Sequence, residues 1–404
     1  MNKIGIVGSG IAGLHLGLYL QKHGIDCTIY SDRSSEQIRT GRLQALVVRF
    51  EPTLERERKL GVNHWDYSDF GVFGVQMHVG IDPPIMWSGS LKRPASSVDM
   101  RIYQSTLLED FESRGGTVVV ASLQAGDVAR LSADYELMVV ASGRGSLTEM
   151  FPRDPARSPY SQPQRRLVGA FCRGLELVDR VVYTISPGNG EIFQAPFTTF
   201  DARVCSVLFE GIPGQAFEPL MQQRYEDNPS KFEATMLEII QRHAPPIYNR
   251  VKPSEFGVLR PLDILQGAVT PTVRRGLTSL GNGKFAMALG DIHMANDPII
   301  AQGANLASRC AWVMGEALVA DTRYDESFCS RLEDKLWETG KSATEWTNAT
   351  LLPPPQHVME VFVAASQIKS LADELVENFG RPDHNWQVFS SPEGAAAFVA
   401  KHQG

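Results

Sequence analysis

The sequence predicts an α/β fold in which a parallel sheet is joined to a second, antiparallel sheet region and to carboxy-terminal helices. Short apolar runs such as Ile4–Val7 are typical of buried parallel strands, and segments with helical spacing follow them. A glycine-rich turn comes directly after the first run, and a helix follows another such run near residue 303. With 404 residues the chain is long enough for two or three structural units around a sizeable core.

The composition is that of an ordinary globular protein, with 43% hydrophobic and 21% charged residues. A net charge of −7 argues against nucleic acid or an anionic membrane as a partner. The apolar run from Ile4 to Leu20 is interrupted by glycines, and elsewhere no apolar stretch reaches eighteen residues, so we expect a cytoplasmic protein. Five scattered cysteines without a CxxC pair indicate buried thiols and no metal site. They are Cys27, Cys172, Cys205, Cys310 and Cys329.

The amino-terminal segment carries a GxGxxG motif in the context that dinucleotide binding requires. A strand ends at Val7, the turn Gly8–Gly13 follows, a helix runs from Leu14 to Lys22, and a second strand covers Cys27–Tyr30. The first glycine permits the tight turn, the second lets the backbone approach a pyrophosphate, and the third lets helix and strand pack closely. The backbone of the first helical turn, at Ile11 and Ala12, offers free N–H groups to phosphate. A glycine-rich turn in an unrelated α/β domain is the alternative.

One element of this motif is altered, because the acidic residue that usually ends the second strand and binds ribose is replaced by Ser31. Asp32 and Arg33 follow it. Either Asp32 contacts the ribose from a shifted strand end, or the ribose is held more weakly, which would suit a cofactor that exchanges.

A second motif begins where the predicted strand Phe285–Leu289 ends. Gly290 and Asp291 come next, and the segment Asp297–Asn305 leads into a helix that we expect to reach Val319. This pattern resembles the carboxyl-terminal flavin motif of the para-hydroxybenzoate hydroxylase-like FAD monooxygenases. The resemblance implies that Asp291 binds the ribityl or pyrophosphate part of FAD. It also places a helix amino end beneath the pyrimidine side of the flavin, where the helix dipole would stabilise the negative charge of the reduced ring.

A nicotinamide site is not evident. At the predicted strand end Leu137–Ala141, single-component hydroxylases of this superfamily carry an Asp-Gly motif, whereas this chain has Ser142-Gly143-Arg144-Gly145. No second GxGxxG occurs. We therefore expect reduced flavin to arrive from another protein.

The whole chain is similar to the oxygenase component of the two-component styrene and indole monooxygenases. Blocks without a general flavin role, such as Trp346-Thr347-Asn348 and Phe389–Glu393, discriminate best. The other matching blocks are Ile4–Leu18, Tyr30–Arg33, Arg42, Phe70-Gly71, Phe73-Gly74, Val79-Gly80, Leu91-Lys92, Val98-Asp99, Arg101–Gln104, Ser186–Gly188, Gly190-Glu191, Leu262–Gly267 and Leu289–Asn305.

The resemblance implies a Rossmann-like FAD-binding domain of the para-hydroxybenzoate hydroxylase-like type, a β-sheet substrate domain and carboxy-terminal helices. It also implies that an NADH:flavin reductase supplies diffusible reduced FAD in a transient encounter. Reaction with O2 would give a C4a-(hydro)peroxyflavin, which epoxidises a small aromatic substrate: styrene to styrene oxide, or indole to indoxyl and indigo. This chemistry needs no nucleophile, metal or acid–base pair, only exclusion of water and correct placement of the alkene. A homodimer is an oligomeric state that the sequence leaves open.

The resemblance also assigns site residues. Arg42 matches a family arginine beside the flavin, where its guanidinium would offset negative charge, and Asn305 would face the substrate; these two are the catalytic candidates. The alternative for Arg42 is a surface position. The expected cofactor-binding residues are Gly8, Gly10, Ile11, Ala12, Gly13, Ser31, Asp32, Arg33, Arg42, Asp291, Pro298, Gln302, Gly303, Ala304 and Asn305.

A substrate pocket is expected at positions that, in the family, separate styrene-preferring from indole-preferring members. Valine at 72 and 75 and alanine at 95 resemble the indole branch of the family more than the styrene branch, although any half-buried strand shows such apolar alternation. Met77, His78 and Trp87 fit either the pocket or the core. The expected pocket residues are Val47, Val72, Val75, Ala95, Pro196, Phe197 and Thr199.

The predicted domains are discontinuous. Residues 1–48, 96–160 and 278–325 would form the FAD-binding domain, 49–95 and 161–277 the substrate domain, and 326–404 a helical region. In the substrate domain Phe193–Thr199 and Val204–Glu210 are candidate antiparallel strands. The helical spacing of Phe328, Leu332 and Leu336, and of Val358, Phe362 and Ile368, predicts two carboxy-terminal helices.

The sequence leaves three alternative functions, each of which it favours less. A single-component FAD/NAD(P)H aromatic hydroxylase is disfavoured by the missing Asp-Gly motif, and a flavin-dependent halogenase by the lack of a WxWxIP segment. A non-catalytic binding module with a vestigial flavin site is disfavoured by the intact glycines.

Overall fold

The computed structural model describes residues 3–65, 71–143, 145–200 and 202–403. Phe70 and Arg144, two of the residues quoted above, lie outside the described part of the chain. The strands in chain order are β1 (Lys3–Val7), β2 (Asp26–Ser31), β3 (Val72–Val79), β4 (Ile85–Ala95), β5 (Thr117–Val120), β6 (Leu137–Val140), β7 (Arg166–Arg173), β8 (Val181–Ser186), β9 (Gly190–Thr198), β10 (Arg203–Gly211), β11 (Gly257–Val258), β12 (Ile264–Ala268), β13 (Thr272–Val273), β14 (Leu277–Gly281), β15 (Lys284–Ala288) and β16 (Met294–Ala295).

Helices connect the strands and make up most of the last hundred residues. They are α1 (Ile11–Lys22), α2 (Ser35–Arg39), α3 (Glu51–Leu60), α4 (Met100–Ser113), α5 (Ala125–Leu131), α6 (Glu218–Met221), α7 (Pro229–His243), α8 (Pro245–Tyr248), α9 (Gly303–Ala320), α10 (Glu326–Thr350), α11 (Gln356–Gln367), α12 (Lys369–Glu377), α13 (Pro382–Phe389) and α14 (Pro392–Lys401). None of the described helices is long and apolar enough to cross a membrane.

The first sheet has six strands in the order β14-β15-β6-β1-β2-β5, and all neighbours are parallel except the hairpin β14–β15. Helix α1 crosses from β1 to β2 and packs on α9, so the amino-terminal and carboxy-terminal motifs share one core. Every strand that the sequence predicted for this sheet is present, and the α/β fold class is confirmed.

The second sheet has eight strands in the order β11-β7-β10-β9-β8-β3-β4, with β12 also paired to β7. Strands β9 and β10 pair antiparallel over their whole length, as predicted, whereas β3 and β8 are parallel. Helix α7 covers one face of this sheet with Phe232, Met236 and Ile240. The other face, which includes Phe171 and Phe197, is turned towards the first sheet.

Helix α3 packs on the core of the first sheet through Leu60, and Val62 just after the helix joins the same core. The domain boundaries predicted from the sequence had assigned residues from 49 onward to the substrate domain. We therefore propose that the amino-terminal segment of the FAD-binding domain continues through α3. The other domain boundaries stay predictions.

The carboxy-terminal helices cover the β3–β4 end of the second sheet. A Cβ atom at Gly89 of β4 would lie 2.2 Å from the carbonyl oxygen of Ala372, so only glycine allows α12 to pack this closely. The predicted helix containing Val358 and Phe362 ends at Gln367; its inclusion of Ile368 was wrong. Ile368 has extended backbone (φ −118°, ψ 102°) and separates α11 from α12, although it packs on the same core as Val358 and Phe362.

Candidate active site

The parallel strands of the first sheet end at one edge, where the glycine motif forms a tight turn. Gly8 has a φ of +117°, and a Cβ atom there would lie 2.8 Å from the carbonyl group of Ala141. At Gly13 a Cβ atom would lie 2.0 Å from the carbonyl oxygen of Gly8. Both positions therefore require glycine for packing within the protein.

Gly10 differs from these two, because a Cβ atom there would meet no protein atom within 4 Å. It precedes α1, which has no side-chain cap, so the N–H groups of the first turn at Ile11 and Ala12 lack intrahelical acceptors. The open space beside Gly10 and these N–H groups together form a cradle for phosphate.

The ribose position lies at the end of β2. Ser31 is buried, and its hydroxyl lies 2.7 Å from the hydroxyl of Ser9 in the glycine turn. Asp32 is 63% exposed and forms an ion pair of 3.4 Å with Arg33. Ser31 therefore braces the turn, and Asp32 is the carboxylate at this strand end that remains accessible to a ribose.

Gly290 and Asp291 follow β15 at the same edge. Gly290 adopts a φ of +76°, and a Cβ atom at Gly143 would lie 2.8 Å from that of Asp291. Gly143, in the segment that stands in place of the Asp-Gly motif, therefore leaves room for Asp291, whose side chain is exposed. Its carboxylate lies on the approach to the phosphate cradle.

The start of α9 is a second uncapped helix end. A Cβ atom at Gly303 would meet no protein atom within 4 Å, and Ala304 beside it is half-buried. Ala301, two residues earlier, has left-handed backbone (φ +55°, ψ 32°), which explains why glycine is favourable at this turn. The open backbone at Gly10 and Gly303 and the accessible Asp291 fit a flavin dinucleotide.

Gln302 and Asn305 are used within the protein. The amide of Gln302 donates to the carbonyl oxygens of Ile300 and Phe379, both at 3.0 Å. The amide of Asn305 is saturated, since it donates to the carbonyl oxygens of Val48 and Ala301 and accepts from the N–H of Phe50 and the hydroxyl of Thr53. This geometry favours a positioning role for both residues.

Arg42 lies on the loop after α2, half-exposed, and forms an ion pair of 2.5 Å with Glu226. Exposed pairs of this kind contribute little stability, so the guanidinium could leave Glu226 at small cost. A buried ion cluster fixes the loop itself. Arg101 bonds Asp99 and Asp263, both at 2.6 Å, and reaches the carbonyl oxygen of Gly41.

The roles of Asp99, Arg101 and Asp263 were missed by sequence reasoning. All three belong to blocks that support the family resemblance, and their charges within otherwise apolar surroundings were the available signal.

Arg49 is also buried, and its contacts help to hold neighbouring helices in place. Its guanidinium bonds Glu57 at 2.8 Å and lies 4.2 Å from the ring centre of Tyr103. The hydroxyl of Tyr103 also contacts His15, whose second ring nitrogen contacts Ser308. Burial lowers the pKa of His15 to about 3, so this histidine is neutral. The network fastens α1, α3 and α9 together.

An apolar cavity of about 80 Å³ lies between the segment before α9 and the second sheet. Its lining contains Val72, Val75 and Phe197 of the predicted pocket, and Pro298 and Ala301 close the side nearest α9. Tyr183 and Ser206 are the polar residues among the described lining residues. The others are Leu46, Val48, Phe50, Gly74, Leu91, Val181, Phe193, Ala195, Leu208, Ile299, Ile300 and Phe379.

Four predicted pocket residues do not line this cavity. Leu46 and Val48 take the place of Val47, which packs on the core of the first sheet. Ala95 is fully buried behind Val72 and Val48. Ala195 and Phe197 flank Pro196, and the hydroxyl of Thr199 donates to the carbonyl oxygen of Ala202. The residues Met77, His78 and Trp87 are buried in β3 and β4, and Met77 and Trp87 belong to the core under the carboxy-terminal helices.

The carboxy-terminal helices complete the cavity wall. Trp346 packs with Ile299 and Ile300, and its ring centre lies 5.3 Å from that of Phe379, which lines the cavity. Phe389 stacks on the other side at 6.0 Å. Trp346 and Phe389 belong to the two sequence blocks that have no general flavin role. Both blocks therefore support the wall of the pocket.

A buried carboxylic acid pair lies behind Pro298. Glu210 and Asp297 are both 0% exposed, and each acts on the ionisation of the other. Burial raises the pKa of each carboxyl, and the neighbouring charge of Asp297 raises that of Glu210 further. Arg165 is already paired with Glu191 at 2.7 Å. The pair therefore retains a proton near neutral pH, which we assign to Glu210.

Known proteins share sequence with most of this chain. Residues 143–250 match the family model described as styrene monooxygenase A putative substrate binding domain. Over 399 residues the chain is 39% identical to styrene monooxygenase StyA of Pseudomonas sp, covering 97% of this chain and 96% of that protein. The chain belongs to the styrene monooxygenase family. A second styrene monooxygenase StyA, from Pseudomonas fluorescens, is 38% identical over 397 residues, with the same coverage of both chains.

Solved structures extend the styrene monooxygenase comparison to the fold. A flavoprotein/dehydrogenase from Cytophaga hutchinsonii superposes with a TM-score of 0.69 at 12% identity, covering 99% of both chains. A flavin-dependent brominase gives a TM-score of 0.67 at 14% identity, covering 99% of this chain and 98% of that chain. At these identities the likeness concerns the fold alone. It confirms the predicted fold, and the resemblance to the styrene and indole monooxygenase oxygenases is confirmed by the two relatives.

Proposed function

We propose that this protein is the oxygenase component of a two-component flavin monooxygenase that epoxidises a double bond conjugated to an aromatic ring. The observation that carries the proposal is the apolar cavity, which is closed by Pro298–Ala301 directly before the helix that would lie beneath the flavin. Membership of the styrene monooxygenase family supports the same substrate class. Styrene and indole are the two candidate substrates.

The cofactor in this proposal is reduced FAD, which activates O2 when bound. The glycine turn, the first turn of α1 and Asp291 would hold its phosphates and ribityl chain, and the uncapped end of α9 would lie beneath the pyrimidine ring. The cavity wall then has two tasks, which are to exclude water and to place the alkene against the flavin edge.

The cavity wall suits a neutral hydrocarbon or indole. Its described residues contribute no carboxylate, ammonium or guanidinium, and burial raises the pKa of Tyr183, so its hydroxyl stays neutral. The hydroxyl of Ser206 donates to the carbonyl oxygen of Ala195 at 3.3 Å, which leaves its lone pairs to accept a hydrogen bond. Indole N–H could use this acceptor, whereas styrene does not need it.

A separate NADH:flavin reductase would supply the reduced FAD. The accessible but weakly paired Asp32, and Ser31 in place of the ribose-binding acid, support a cofactor that exchanges. Gly143 lies where single-component hydroxylases carry the Asp-Gly motif, and the missing aspartate also supports reduction of the flavin by a separate protein.

The test mixes the purified full chain with FAD, NADH and a flavin reductase, and then supplies indole or styrene. Blue pigment or styrene oxide is the expected product. Hydrogen peroxide alone, with neither product, would contradict the proposal. Consumption of NADH or NADPH by the protein without the reductase would favour the single-component hydroxylase instead.

A cavity-filling variant makes the assay specific to the pocket. Val72→Phe should abolish epoxide formation while peroxide release continues, because the ring would occupy the cavity and leave the flavin cradle intact. Val363→Phe is the matched control, since Val363 is 43% exposed on α11. Equal loss of product in both variants would show that the described cavity is not the substrate pocket.

A further inference from the structure

A second cavity, of about 300 Å³, lies on the side of α9 that carries Gln302, Asn305 and Arg309. Helix α3 and the segment between α12 and α13 close it on the other sides. Gly303 and Ala304, which face the expected flavin position, are not among its lining residues. This cavity is therefore separate from the flavin cradle and from the apolar pocket.

Three arginines line this cavity: Arg56 from α3, Arg309 from α9 and Arg381 before α13. Asp383 is the single carboxylate among the described lining residues, so the wall carries a net positive charge in a chain whose net charge is −7. Such a concentration of positive charge is unusual in a protein whose net charge is negative.

The three guanidinium groups have no direct carboxylate partner among the described residues, although the charges of Glu57 and Glu55 also act on Arg56. Among the described residues none forms an ion pair with Arg56, Arg309 or Arg381. Arg56 is held by neutral acceptors, the hydroxyls of Ser308 at 2.9 Å and Thr53 at 3.1 Å. Burial, and after it the charge of Arg309, lower the pKa of Arg56 to about 10, so this guanidinium lies in a largely desolvated position.

We propose that this cavity is a binding site for a small oxyanion, with the guanidinium groups of Arg56, Arg309 and Arg381 as its ligands. Planar guanidinium groups bind phosphate and carboxylate oxygens in pairs, and Arg56 is already oriented by two hydroxyls. A water molecule takes about 30 Å³, so the cavity has room for more than a lone phosphate ion. Its ligand class is an organic phosphate or a dicarboxylate.

Binding of an anion at this site is coupled to α9, because some of the residues that line the cavity belong to that helix. Asn305 on the cavity wall holds Val48 and Phe50 of the apolar pocket, and Arg56 bonds Ser308, the partner of His15 on α1. An anion that orders these residues would change the affinity for flavin, and the flavin would change the affinity for the anion by the same factor.

The test is calorimetric titration of the full-length protein with inorganic phosphate, pyrophosphate or malonate at constant ionic strength. Saturable binding of at least one probe is expected, and binding must persist when FAD is present in excess. Preference for pyrophosphate over malonate would assign a phosphate ligand, and the reverse order a dicarboxylate. No saturable heat with any probe up to roughly 10 mM overturns the proposal, and so does an apparent Kd for the probe that keeps rising in proportion to the FAD concentration.

Charge variants locate the binding. Arg309→Gln and Arg381→Gln should each weaken it about 10-fold or more, because each removes a charge-assisted contact. Asp383→Asn should tighten it, since the single carboxylate on the wall is neutralised. Arg242→Gln changes the net charge equally at a site 70% exposed on α7 and should have no effect. If Arg242→Gln weakens binding as much as Arg309→Gln, the site proposal is wrong.

Discussion

Replacing Gly10 by alanine separates flavin binding from folding. The backbone at Gly10 has φ −74° and ψ −179°, which alanine adopts without strain, and its Cβ atom would meet no protein atom within 4 Å. The methyl group would instead occupy the space through which the pyrophosphate approaches the first turn of α1. We therefore expect a folded protein that binds FAD poorly.

The size of the effect follows from the contacts that are lost. A hydrogen bond from a backbone N–H to a charged phosphate is worth roughly 1.5–3 kcal/mol, so displacing one bond raises the Kd for FAD by about 10- to 150-fold. Stability changes little, because loss of chain entropy in the unfolded state adds about 0.4–1 kcal/mol while alanine is a poorer helix cap than glycine. In a chain of this length the Tm should shift by no more than about 1–2 °C.

Fluorescence titration with oxidised and reduced FAD, beside a thermal unfolding scan, measures both quantities. Gly126→Ala is the matched control, since a Cβ atom there also meets no atom within 4 Å and Gly126 is not one of the predicted cofactor-binding residues. Gly13→Ala should instead lose stability, because its Cβ would lie 2.0 Å from the carbonyl oxygen of Gly8. Unchanged FAD affinity in Gly10→Ala would refute the assignment of the cradle.

Three further predictions concern the pocket and its supports. Ser206→Ala should raise KM for indole and leave that for styrene unchanged, in steady-state assays of both substrates; equal changes would exclude the serine as the indole acceptor. Glu210→Gln should gain stability relative to the native protein as the pH rises through the raised folded-state pKa of Glu210, because the native protein loses stability there and the glutamine variant does not; urea titrations at several pH values measure this, and a constant difference would contradict the raised pKa. Ala301→Gly should stabilise the protein by up to about 1 kcal/mol by relieving left-handed strain, whereas Ala301→Val should destabilise it in the same titration.

Much of the first sheet could be predicted from the sequence because its signals are local. A buried parallel strand shows as a short apolar run, and a phosphate-binding turn needs glycine at fixed positions, so Gly8, Gly10 and Gly13 indicate their own roles. The end of the helix at Ala320 was predicted within one residue, at Val319, for the same reason.

The pocket was less predictable because its walls come from distant segments. The segment around Val47 is irregular between α2 and α3, so alternation could not decide that Leu46 and Val48, and not Val47, line the cavity. Asn305 likewise has the sequence position of a flavin-facing residue, yet contacts with Val48 and Phe50, over 250 residues away in sequence, use its whole amide.

The sequence by itself determined the α/β fold and the family and predicted the dinucleotide cradle, since glycine spacing and apolar runs act over a few residues. Only the tertiary structure decided which charges are buried and what they hold. Arg49 meets Glu57 through the fold, Arg101 meets Asp263 across the two domains, and Glu210 meets Asp297 beneath the pocket. The cavity lined by Arg56, Arg309 and Arg381 also exists only in three dimensions, because its residues come from three helical segments brought together by packing on α9.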